Sequence, residues 1–187
     1  MKKNKKVSLF AFFFALTVLL GNIKFSGFWP CGGSVSLFGM VPIVFTGIKL
    51  GPRFGVLLGL ACGLFKLFFG PLGSIALNGF QFFVCVFLDY LCGYGVLGLG
   101  SVFCCRKLKK EFREVCLCIF VVFMLKFVVH LIAGVLVWGP LLKQARVVAV
   151  TLSIFYNASY LIPEMFLTML GVCRLLASDW KRGTKLA

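Results

Sequence analysis

Hydrophobic positions along this chain fall into long blocks, each closed by glycine, proline or a cluster of basic residues. Residues 2–6 are Lys-Lys-Asn-Lys-Lys, and the apolar run behind them predicts a first helix over about residues 7–25. That run superficially resembles a signal peptide. No convincing small-x-small cleavage site follows and more apolar blocks do, so it reads as a retained helix. The block over 36–50 is short and contains Pro42, which marks a tilted or broken helix. Further helices are expected over 54–69, 80–103, 115–138 and 147–176, separated in part by Gly70-Pro71-Leu72-Gly73 and Gly139-Pro140. About 20 helical residues cross a hydrocarbon core of about 30 Å. The blocks therefore predict an all-α polytopic membrane protein, a six-transmembrane-helix bundle forming one integral membrane domain over residues 1–187.

Composition agrees and removes other classes. The chain is 61% hydrophobic and 13% charged, with a mean hydropathy of +1.05, against about 45–50% and about 25% in soluble domains. A soluble enzyme, a disordered tail and a nucleic-acid module are poor readings. The net charge of +15 then belongs at the membrane borders. With the N-terminus inside, 15 of the 20 Lys and Arg fall in cytoplasmic segments: the N-terminal cluster, Lys49 and Arg53, the run Arg106–Arg113, and the C-terminal group from Arg174. Lys24, Lys143 and Arg146 fall outside, and Lys66 and Lys126 fall within spans. The bias predicts six helices with both termini cytoplasmic.

Nine cysteines do not suggest a disulfide framework, and Cys104-Cys105 and Cys116-x-Cys118 lack the spacing of zinc sites. They read as small apolar filler. Ala11-x-x-x-Ala15 in the first helix and Gly51, Gly55, Gly59 and Gly63 in the third form flat stripes that let another helix approach closely. The stripes suit either packing within the bundle or a partner-binding face.

Ionisable residues within spans are costly and mark candidate sites. They are Lys66, Asp89, Lys126, His130 and Glu164, joined by Asn78, Gln81, Ser153, Tyr156 and Asn157. At 1.5 Å per residue, Asp89, His130 and Asn157 lie about 13, 12 and 15 Å below the outer ends of three different helices. They therefore converge at one depth. Lys126, His130, Gly134 and Trp138 follow at four-residue steps on one gently wound helical stripe. Gly134 leaves room between an imidazole and an indole, where an aromatic ligand could stack near the Asp89 anion. The plainer alternative is a structural network in which His130 and Lys126 pair with Asp89 or with backbone carbonyls. Glu164 follows Pro163 and suits a kink or an interfacial role, and Lys66 can snorkel to the end of its helix.

Catalysis has little support. A P-loop, His-Glu-x-x-His and Gly-x-Ser-x-Gly are missing from the chain, and a lone histidine is too few for a histidine-based metal centre. No cofactor or metal is expected. An intramembrane thiol enzyme using His130 as base stays an alternative, although no cysteine is tied to it by spacing.

The residues resemble the thiamine-binding S components (ThiT family) of energy-coupling factor (ECF) vitamin transporters. The likeness runs through Ala11-x-x-x-Ala15, Gly32-Gly33-Ser34-Val35-Ser36-Leu37, Met40-Val41-Pro42-Ile43, Leu88-Asp89-Tyr90, residues 125–134 with Trp138, and most specifically residues 153–164. It implies a six-helix bundle in a bacterial inner membrane that captures thiamine from outside for ATP-driven uptake, without being an enzyme. It places Asp89, Tyr90, Lys126, His130, Gly134, Trp138, Ser153 and Asn157 on substrate-binding positions. A carboxylate suits the fixed thiazolium cation and can accept from an aminopyrimidine. The resemblance also implies docking, through Ala11 and Ala15, on a transmembrane coupling protein that carries two ATPase subunits. Two positions depart from the family pattern: Leu152 stands where a tyrosine is frequent, and Asp89 is shorter than the family's Glu. These keep another vitamin or a thiamine precursor as an alternative ligand, beside the thiol enzyme and a purely structural subunit. Trp29 lies close enough to stand in for a first-loop tryptophan that some members have.

Overall fold

A computed structural model describes residues 3–29, 33–70, 72, 75–103 and 112–182, and the side chains of these except residues 3 and 178–182. Gly32, Pro71, Gly73, Cys104, Cys105 and the loop bases Arg106, Lys107, Lys109 and Lys110 lie outside the described residues. The observed architecture is the all-α bundle expected from the hydropathy blocks. It consists of α1 (Lys3–Asn22), α2 (Val41–Leu50), α3 (Pro52–Phe69), α4 (Gly79–Phe103), α5 (Phe112–Leu141) and α6 (Arg146–Arg182). All but α2 are long and apolar enough to cross a membrane. With 10 residues, α2 is about 15 Å long and too short to span on its own.

Two boundaries differ from the sequence reading. Helix α1 stops at Asn22, and Lys24–Phe25 forms a short strand β1 that pairs antiparallel with β2, Val35–Ser36. Residue 36 is thus a strand residue, and α2 starts only at Val41, with Pro42 in the first turn where its missing N–H costs nothing. The short segment between α2 and α3 turns at Gly51, whose φ of 101° is open to glycine and strained for other residues.

Helix α2 is the hub of the core. Ile43, Val44 and Ile48 are fully buried, together with Leu58 of α3, Leu97 of α4, and Ile119 and Val122 of α5. Most of the glycine stripe of α3 packs internally. A Cβ on Gly55 would strike Gly47 of α2 and the carbonyl of Gly98, and one on Gly59 or Gly63 would strike the carbonyls of Tyr94 or Tyr90 on α4. Backbone-to-backbone approach of this kind is how helices associate in lipid, where apolar burial gives little drive. Large side chains such as Phe68, Phe83, Phe155 and Phe166 are exposed on the bundle, which suits a hydrocarbon surrounding.

Two helices change their winding near the middle of the fold. Val86–Cys92 of α4 and Gly134–Trp138 of α5 are π-helical. Such turns are rare and gather at functional sites. They hold Asp89, Tyr90, Gly134 and Trp138.

Candidate functional site

A cavity of about 780 Å³ opens among α1, α3, α4, α5, α6 and the segment between α1 and α2. All eight residues named from the sequence line it: Asp89 and Tyr90 from α4, Lys126, His130, Gly134 and Trp138 from α5, and Ser153 and Asn157 from α6. The convergence follows from winding. Four-residue steps on an α-helix drift about 40° each, which would carry Trp138 away from His130. The extra residue per turn over Gly134–Trp138 unwinds that drift.

At the centre, Asp89 Oδ1 lies 2.9 Å from Nδ1 of His130, with about 15% of each side chain exposed. The Cys85 thiol, one turn earlier on α4, donates to Asp89 Oδ2 at 3.3 Å. The imidazole's second nitrogen, Nε2, is buried and has no hydrogen-bond partner among the described residues. It sits against Gly93, where a Cβ would come within 2.8 Å of it. Lys126 Nζ donates to the carbonyl of the same Gly93 at 3.0 Å and lies 4.7 Å from the centre of the Tyr94 ring. Both pairings of the structural-network reading are therefore present, and they line an open cavity rather than a packed seam.

The α6 wall is prearranged. Asn157 donates to the carbonyl and hydroxyl of Ser153 at 2.8 and 3.1 Å and accepts from the Tyr160 hydroxyl at 2.6 Å. Gly134 borders the cavity, and its missing side chain also serves packing. A Cβ there would collide with the Ser153 hydroxyl, so the missing side chain admits α6. Aromatic rings supply much of the remaining wall: Trp29, Tyr90, Tyr94, Trp138, Tyr156 and Tyr160.

Four residues play parts that the sequence reading did not give them. Lys66 does not snorkel out to the helix end. Helical side chains lean toward the N-terminus of their helix, so from near the C-terminal end of α3 its ammonium reaches back into the cavity, 5.8 Å from the Tyr94 ring centre. Glu164 is not interfacial. It is 2% exposed, lines the cavity, and accepts from the backbone N–H of Ser36 at 3.3 Å and from the Ser36 hydroxyl. Asn78 and Gln81, grouped with the intramembrane polar residues, instead form a capping box at the start of α4.

Tyr94, Tyr160 and Ser36 were not picked out from the sequence. Tyr160 lies one helical turn after Asn157, a spacing that could have revealed it. Ser36 reaches the site from a non-helical segment, where periodicity gives no signal. The Cys85 thiol, which the thiol-enzyme reading would turn toward the imidazole, donates to Asp89 instead. Among the described residues no group of three or more His, Cys, Asp or Glu is gathered for a metal. Ala11 and Ala15 lie away from the cavity, exposed on α1, while Phe10, Phe13 and Phe14 of the same helix turn inward.

Comparison with known proteins adds a family to this geometry. The chain is 28% identical over 165 residues to the thiamine transporter ThiT of Bacillus subtilis (strain 168), covering 80% of this chain and 82% of that protein. Its fold is similar to that of ThiT from Listeria monocytogenes, with a TM-score of 0.74, 21% identity, and 97% and 98% of the two chains covered. It is also similar to the S component of a bacterial ECF transporter, with a TM-score of 0.62, 21% identity, and 97% and 100% covered. Residues 7–182 match the family described as "Thiamine transporter protein (Thia_YuaJ)". The chain is a multi-pass membrane protein and belongs to this thiamine transporter family.

Proposed function

We propose that this chain is the substrate-binding S component of an ECF-type importer and captures thiamine in the cavity described above, with no catalytic step of its own. The observation that carries the reading is the Asp89–His130 pair, held at 2.9 Å in a largely aromatic cavity. Thiamine is a fixed cation joined to a flat, hydrogen-bonding heterocycle. A carboxylate in a poorly solvated site attracts the cation, and Tyr and Trp faces add cation–π attraction. The Nδ1 proton of His130 is committed to Asp89, which holds the imidazole beside the carboxylate on the cavity wall. Trp138 flanks the same space.

The 15 basic residues of the inner segments support an orientation with both termini cytoplasmic and the cavity mouth outside. The exposed Ala11/Ala15 stripe supports docking on a transmembrane coupling protein that carries two ATPase subunits. Titration of the detergent-solubilised protein with thiamine, followed by tryptophan fluorescence, tests the capture reading. Saturable quenching at micromolar or lower ligand is expected, weakened by about 10–100-fold in Asp89→Asn through loss of a charged hydrogen bond. Quenching that outlasts Asp89→Asn combined with Trp138→Ala would contradict it, and stronger competition by another vitamin would reassign the ligand.

A further inference from the structure

We infer that Glu164 is a positioning residue that ties the segment between α1 and α2 to α6 and thereby sets how long a bound ligand stays in the cavity. The inference rests on the capture reading and deepens it. The tied segment lines the cavity through Ser26, Trp29, Gly33 and Ser36. Three residues along about two turns of α6 hold it. Trp29 Nε1 donates to the Ser159 hydroxyl at 2.7 Å, the Gly33 N–H donates to the Tyr156 hydroxyl at 2.9 Å, and Ser36 donates twice to Glu164.

These ties are unequal. The first is solvent-exposed and the second part-buried, so water can replace a broken bond at little cost. Ser36 and Glu164 are 4% and 2% exposed. Parting them strands a carboxylate and two donors unless the segment lifts far enough to admit water. Bonds to an ionised acceptor are also the stronger kind.

The charge at this position needs its own explanation. An ion inside a bundle is costly, and a neutral acceptor would hold Ser36 with a smaller desolvation penalty. Two ammonium groups, Lys126 and Lys66, line the same cavity as Glu164. Lys126 in turn holds the carbonyl of Gly93 beside His130. The ligand-facing pair, Lys126, Glu164 and Ser36 thus all border one cavity. A ligand that fills this cavity against the tied segment favours the closed segment, and the reverse follows by linkage.

Hydrogen exchange at the Ser36 amide in the ligand-free protein and thiamine release by stopped-flow fluorescence test the inference together. Glu164→Met and Ser36→Ala are expected to speed exchange at Ser36. They are also expected to speed thiamine release by about tenfold or more, without lowering the association rate. Glu164→Gln, which keeps an acceptor without the charge, should fall between these variants and the unsubstituted protein, and Ser36→Thr should restore slow release. The Ser36→Ala/Glu164→Met double variant should release no faster than the faster single variant, since both remove one tie. Additive effects would overturn the inference, as would unchanged release in a variant whose Ser36 amide has become fast. Where Glu164→Met fails to fold, Glu164→Gln and Ser36→Ala carry the same comparison. If the unsubstituted protein does not bind thiamine, the capture reading fails. The exchange arm still decides the tie, because slow exchange at Ser36 in the Glu164 variants would refute it.

Discussion

Gly93 shows how much of the site depends on a side chain that is missing. Its carbonyl accepts from Lys126 at 3.0 Å, and the space where a Cβ would stand is occupied by Nε2 of His130, 2.8 Å away. Gly93→Ala should therefore push the imidazole off Asp89 while leaving every charged group in place. Overpacking of a tight site costs about 1–3 kcal/mol, so thiamine affinity is expected to fall by about tenfold or more with the fold kept. Calorimetric titration beside a thermal melt checks this, and an unchanged affinity in the folded variant would refute it. Asp89, His130 and Asn157 were legible in the sequence, because an ionisable or strongly polar residue inside an apolar helix is a conspicuous expense. Gly93 was not legible. One glycine among 21 carries no sign of which neighbour needs the space, and in the same way the approach of Ser153 to Gly134 was not legible.

Hydrophobic blocks located each of the six helices, with ends that differ by up to about six residues, since a lipid-facing helix needs apolar character all around. The π turns in α4 and α5 were hidden, and so was the short β1–β2 pair. A π turn is a one-residue shift in local hydrogen bonding and the strand pair joins residues ten to twelve apart, and neither changes the local hydropathy. The π turn over Gly134–Trp138 nevertheless keeps Trp138 on the side of His130. The first helix allows a sharper separation of roles. Its inward face carries Phe10, Phe13 and Phe14, with Phe13 5.8 Å from Phe45 and Phe14 5.8 Å from Phe65. Its outward face carries Ala11 and Ala15, flanked by exposed Val7, Phe12 and Leu19. Ala11→Leu or Ala15→Leu should leave thiamine affinity within about twofold, because neither residue touches the core or the cavity. Uptake by cells should be abolished, as a close helix–helix contact with the coupling protein is blocked. A folded variant that loses binding, or one that transports normally, would argue against a docking face.

At the scale of the whole molecule, the distribution of charge orients the bundle and the cavity gives it a task. A C-terminal reporter that is active only in the cytoplasm should be active, and the same reporter placed between Leu142 and Arg146 should be silent; the opposite pattern would invert the topology. Besides the exposed Lys24 of β1, the cavity gathers two carboxylates, Asp89 and Glu164, and two ammonium groups, Lys66 and Lys126, from the helices of one mostly apolar bundle. That arrangement is expensive without a ligand to exploit it. Of these four, Asp89 is joined directly to the imidazole, and it is the group placed to meet a cationic ring. The most direct test of this account is equilibrium titration of the purified protein with thiamine, read by quenching of Trp29 and Trp138, for the unsubstituted chain and for Asp89→Asn. The account predicts saturable one-site binding at micromolar ligand or tighter, weakened by about 10–100-fold in the variant. The absence of saturable binding, or equal affinity in the two proteins, would contradict it.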